Sequence, residues 1–86
     1  MDRAAALART DAPADRTLAV LDVRTLPPPQ PLKRTLERLA DLDDDAVLLQ
    51  RNDRAPQHLY PRLDDRGYAH DTVDVEGAVV TAIWRP

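Results

Sequence analysis

Pro27, Pro28, Pro29 and Pro31 fill four of five successive positions and force a boundary inside the chain. Proline lacks a backbone N–H and fixes φ, so neither a central strand nor a helix interior runs through such a stretch. The residues before it, Thr17-Leu18-Ala19-Val20-Leu21-Asp22-Val23, are apolar, partly β-branched and closed by polar residues. That pattern predicts a buried strand. The residues after it place Leu32, Leu36, Leu39 and Leu42 on one helical face and turn Lys33, Arg34, Glu37, Arg38 and Asp41 outward. An amphipathic helix is expected there, with Pro31 at its first position, where an N–H would have no intrahelical acceptor. The proline joint is thus a strand-to-helix connection.

The rest of the chain follows the same alternation. Asp43-Asp44-Asp45 reads as a loop and residues 46–51 as a second strand. A strand, a helix and a strand make a right-handed crossover unit, so the two strands should be parallel neighbours. Residues 57–66 suit a second short helix, with Leu59 and Leu63 inward and Gly67 as its stop; Pro61 either sits in its first turn or leaves it kinked or partly 3₁₀ there. Residues 68–75 and 78–85 form a hairpin about the turn Glu76-Gly77. The fold class that results is α+β, a two-layer β-α-β-α-β-β sandwich with a four-stranded mixed sheet and two helices on one face. Residues 1–16 alternate alanine with charge and read as a flexible N-terminal tail or frayed helix, leaving 17–86 as the folded domain.

Composition then removes whole classes of function. The 86 residues contain no cysteine and no serine, which excludes disulfides, thiolate metal sites and the two commonest covalent nucleophiles. The formal net charge of −3 opposes binding to a phosphate backbone, so nucleic acid is not an expected partner. No apolar run reaches the length of a membrane span, and the N-terminus has no signal-peptide core, so a cytoplasmic location is expected. Thirteen aspartates against two glutamates fit either a high-GC genome or salt adaptation.

Several motifs admit both a functional and a structural reading. Prolines 27–29 should adopt polyproline II, and Pro28-Pro29-Gln30-Pro31 has the PxxP form. With most of the joint's N–H groups deleted, a rigid docking surface is favoured over an anion cradle. Asp22 and Arg24 flank the joint at the end of a parallel strand, where ligands of α/β units bind. They either orient a polar group or form a surface ion pair worth roughly 0–1 kcal/mol. Asn52 and Asp53 join the same rim. Asp41, Asp43 and Asp45 mimic a calcium loop, but Ala46 and Asn52 stand where glycine and glutamate are needed. His58 and His70 would hold a metal only if they converged with a carboxylate. Trp84 is expected in the core beneath the helices, the alternative being the other sheet face, where it would anchor a partner or a second subunit.

The residues Leu21-Asp22-Val23-Arg24-Thr25-Leu26-Pro27-Pro28-Pro29-Gln30-Pro31 resemble the start of the TusA/SirA-type sulfur carriers, whose strand and loop read L-D-x-x-G-L-x-C-P-x-P. The likeness continues through Asp53, Arg66-Gly67-Tyr68 and the final hairpin. Aligned on Pro-x-Pro, Pro28 stands where the carriers have their persulfide cysteine, so sulfur transfer is not carried over. The chain is more similar to a cysteine-less branch with D-x-R-x-L-P-P-P-x-P and a later N-D-x-x-P-x-x-L-Y, here Asn52-Asp53-Arg54-Ala55-Pro56-Gln57-His58-Leu59-Tyr60. That branch often has a histidine where this chain has Arg54, so a metal or redox role built on it is not carried over either. The resemblance implies a redox or respiratory setting and a protein partner, with hemerythrin-like proteins among the candidates.

The function expected is a non-enzymatic, monomeric interaction or regulatory module without cofactor. Its surface would be Asp22, Arg24, Pro28, Pro29, Gln30, Pro31, Asn52 and Asp53. The alternative is a small-ligand or metal sensor using the same strand-end rim with His58.

Overall fold

The computed structural model describes residues 2–86. Its elements are α1 (Arg3–Ala8), β1 (Leu18–Asp22), α2 (Gln30–Ala40), β2 (Val47–Asn52), α3 (Leu59–Asp65), β3 (Ala69–Val75) and β4 (Ala78–Trp84). The four strands form one mixed sheet in the order β1-β2-β4-β3, with β1 parallel to β2 and β4 antiparallel to both its neighbours. β2 and β4 take the centre because nearly every residue in them is buried. β3, carrying Asp71 and Asp74, takes an edge where charges stay solvated. Glu76 and Gly77 both have positive φ, 49° and 81°, as a two-residue hairpin turn of the primed type requires. Gly67, at φ 77°, closes α3 as expected.

Successive side chains of a strand point to opposite faces, which gives the sheet two apolar surfaces. On one face Leu48 and Ile83 pack with Leu39 of α2 and with Leu59 and Leu63 of α3, flanked by Leu21, Leu32, Leu36 and Tyr68. The α+β sandwich with α2 and α3 on one face is therefore present as expected.

The opposite face departs from expectation. Val47, Leu49, Val80 and Ala82 are fully buried there beneath Ala6 and Leu7, with Leu18, Val20, Val73 and Trp84 around them. Residues 2–16, expected as a flexible tail or a frayed helix, instead supply a packed α1 and a packed connection. The Asp2 carboxylate caps α1 by accepting from Ala4 N at 3.0 Å and Ala5 N at 3.2 Å. The connection is fixed by Asp11 N donating to Asp71 Oδ2 at 2.9 Å and by Arg16 donating to the Arg85 carbonyl. Alanine explains both the misreading and the packing: it gives no visible apolar stripe, yet its small side chain lets a six-residue helix lie close to the sheet. Trp84 belongs to this second face, not beneath α2 and α3, because Ile83 beside it points to the helices.

This packing makes the role of α1 measurable. Leu7→Ala should lower stability by about 2 kcal/mol, the low end for a buried leucine, in urea denaturation. A change within roughly 0.5 kcal/mol, typical of surface positions, would show that the segment behaves as a tail.

Candidate functional site

The proline joint folds back as a turn. Leu26 N donates to Val23 O at 3.1 Å, and Gln30 N donates to Pro27 O at 2.9 Å. The Pro28-Pro29 peptide is cis, at the third position of that turn. Polyproline II has no internal hydrogen bonds, so the expected extended stretch and its PxxP reading give way to a compact bend. α2 begins at Gln30 with Pro31 second, one residue earlier than expected. The Gln30 N–H, the single donor left within the joint, is consumed by the turn.

The bend forms one wall of an open cleft of about 700 Å³. Leu26, Pro28, Pro29, Pro31 and Leu32 line this wall, and residues 52–59 line the other. Gln50 and Asn52 of β2 lie at its floor, 0% and 5% exposed. Amides so buried need partners, and they find them in a chain. Thr35 Oγ1, wholly buried on α2, donates to Pro31 O at 2.7 Å and accepts from Gln50 Nε2 at 2.8 Å. Gln50 Oε1 accepts from Asn52 Nδ2 at 3.3 Å. Asn52 Oδ1 then accepts from Asp53 N at 2.8 Å and Arg54 N at 3.4 Å, an Asx turn that starts the second wall. One ladder of side chains thereby ties the proline joint to the β2–α3 loop. Asn52 Nδ2 spends one of its two hydrogens on the ladder and keeps one that can meet an acceptor in the cleft, whereas Gln50, at 0% exposure, is sealed beneath it.

Thr35 and Gln50 lie outside the surface expected from the sequence. A visible signal existed for Gln50, a polar residue in the otherwise apolar run Ala46-Val47-Leu48-Leu49. Thr35 gave none, because leucine spacing dominated the reading of α2.

The residues that were marked fall into three places. Pro28, Pro29, Pro31, Asn52, Asp53 and His58 line the cleft. Gln30 is half-buried and does not line it. Asp22 and Arg24 lie on the other side, since Asp22 shares its strand parity with Leu18 and Val20 on the α1 face. The single rim expected from the sequence is therefore two separate surfaces. His58 and His70 do not converge: His70 stacks on Tyr60 at 4.9 Å between ring centroids and lies 2.9 Å from Asp64 Oδ1. Among the described residues no group of three or more His, Asp or Glu side chains is placed to hold a metal ion. No helix among them is long and apolar enough to cross a membrane.

Arg24 clasps Asp22 with its Nε at 3.0 and 3.2 Å and its Nη2 at 2.9 Å. This hydrogen bonding, opposed by desolvation and aided by the more distant Arg51, holds the Asp22 carboxyl below the usual aspartate range. Asp22 in turn raises Arg24. The pair is substantially exposed, so its contribution to stability is small.

A family model described as uncharacterized conserved protein (DUF2249) matches residues 20–85. The chain belongs to this family. The DUF2249 match runs from within β1 to just past β4, so it includes the whole cleft and its ladder and leaves α1 outside. No curated protein and no solved structure matches the chain.

Two outcomes follow from this geometry. Thr35→Val keeps the shape but strands the Gln50 amide, and should cost about 1–3 kcal/mol in urea denaturation, whereas Thr35→Ser should cost less. A Val variant as stable as the parent would mean that the ladder carries no energy. For Asp22, a folded pKa below the unfolded value near 3.9 adds stability above that value. This increment fades as pH falls through the lowered pKa. Asp22→Asn should accordingly be less stable than the parent at neutral pH and equal to it in strong acid. A pH-independent difference would contradict this assignment.

Proposed function

We propose that this protein is a non-enzymatic interaction module of regulatory type, and that the cleft between the proline joint and residues 52–59 receives a segment of a partner protein. The observation that carries this reading is the ladder Thr35-Gln50-Asn52, which fixes the two walls of a mainly apolar cleft with the Asn52 amide at its floor. Such a surface suits an extended apolar segment that presents a backbone carbonyl to Asn52. The resemblance to sulfur carriers supports it too, with Pro28 in place of the persulfide cysteine and the strand-to-helix docking geometry retained. The redox or respiratory setting rests on the likeness to the cysteine-less branch, as does a hemerythrin-like partner. The module acts as a cytoplasmic monomer in this reading.

A small-ligand sensor is the second reading. It is favoured by the size of the cleft, within the roughly 300–1,000 Å³ usual for ligand pockets, and by Asp53 and His58 on its wall. Calorimetry with divalent metals and common anions tests it, and absence of heat together with unchanged melting removes it.

Ala55 is exposed at the cleft wall, so Ala55→Arg obstructs the cleft without disturbing the core. A partner captured by affinity purification and then purified should shift the amides of residues 26–32 and 52–59 on titration. The Ala55→Arg variant should bind it at least about tenfold more weakly, some 1.4 kcal/mol. Shifts confined to the α1 face, or equal binding by the variant, would defeat the proposal.

A further inference from the structure

Arg51 poses a problem that neither the cleft nor the core resolves. Its backbone belongs to central strand β2, and its side chain shares the α1 face with Val47 and Leu49. Only 22% of the side chain is exposed, and its Nε is buried without a hydrogen-bond acceptor. The nearest carboxylate oxygen, Asp22 Oδ2, lies 3.7 Å from Arg51 Nη1, beyond hydrogen-bond length. Asp22 comes no closer because Arg24 holds it: both carboxylate oxygens accept from the Arg24 side chain, and Oδ1 also accepts from Arg24 N at 3.1 Å. Two guanidinium groups therefore share one carboxylate, and the one that loses is the more buried.

A buried guanidinium donor without an acceptor is costly, and the cluster of Arg24, Arg51 and Asp22 has a local charge of +1 within a chain of net charge −3. A group arriving from solvent does not reach the sealed Nε, but Arg51 Nη1 and Nη2 are not sealed and make no hydrogen bond, so one kind of group satisfies them and balances the charge. We infer that Arg51 and Arg24 form a binding site for an oxyanion, a carboxylate or phosphate group, at the ends of β1 and β2 on the face opposite the cleft. The guanidinium fork matches either group in a bidentate manner. Asp22 has two roles in this site. Held by Arg24, it keeps that arginine oriented; released, it would itself fill the place beside Arg51. Arg24 is thus a positioning residue as well as a ligand.

The test uses the whole chain and titrates inorganic phosphate and acetate separately at constant ionic strength, with chloride as control. The readout is the Arg51 Nε–Hε resonance and the amides of residues 22–24 and 51–52. A saturable shift with phosphate alone assigns the site to phosphate groups, and one with acetate assigns it to carboxylates such as an acidic side chain of a partner. Arg51→Met, of similar length and apolar, should abolish the shift. Arg24→Gln, on an exposed residue, keeps the fold testable if Arg51→Met does not, and should weaken binding by freeing Asp22 to occupy Arg51. Asp22→Asn removes the competing charge and should tighten binding several-fold. Shifts no different from those with chloride, or affinities unchanged in both Arg24→Gln and Asp22→Asn, overturn the inference.

Discussion

The hydrogen bond from Gln50 to Thr35, 2.8 Å long and shielded from water, is the joint on which the candidate site depends. It links a helix that starts in prolines to a strand that ends in an Asx turn. Without it α2 would meet β2 through apolar packing, which holds shape less specifically than a satisfied polar network does. The arrangement also explains why a helix without a side-chain N-cap begins where it does. The Thr35 hydroxyl fixes the carbonyl of Pro31 from within the helix, and the bend at Pro27 fixes the N–H of Gln30 from outside it.

Much of the fold was legible because its elements have strong local signatures. The prolines, the leucines of α2, Gly67 and the Glu76-Gly77 turn each state a boundary, and the parallel pairing of β1 with β2 follows from the crossover between them. What stayed hidden was the cover on the second face. A clue lay in β2, where Val47, Leu48, Leu49 and Gln50 are buried in succession, so both faces of the sheet had to be covered. Two helices on one side cannot do that, and the alanine-rich start of the chain supplies the third.

The site was legible in part for a similar reason. The prolines and Asn52-Asp53 announce themselves by type, and the structure brings them to one cleft. Asp22 and Arg24 adjoin the joint in sequence, yet strand parity sends Asp22 through the sheet to the other face. A one-residue step along a strand separates neighbours in sequence by the full thickness of the sheet. Membership in the DUF2249 family covers the cleft and this second surface alike. Residues that support the walls, Thr35 above all, carry no motif, since their role depends on what stands opposite them.

A double-mutant cycle between Thr35 and Gln50 tests the central claim most directly. If the ladder is an energetic unit, Thr35→Val combined with Gln50→Leu removes both partners together and leaves neither stranded. Its stability loss should then fall short of the sum of the single losses by about 1 kcal/mol or more. Losses that add to within roughly 0.3–0.5 kcal/mol would mean that the two residues do not act together, and the account of the cleft would fail.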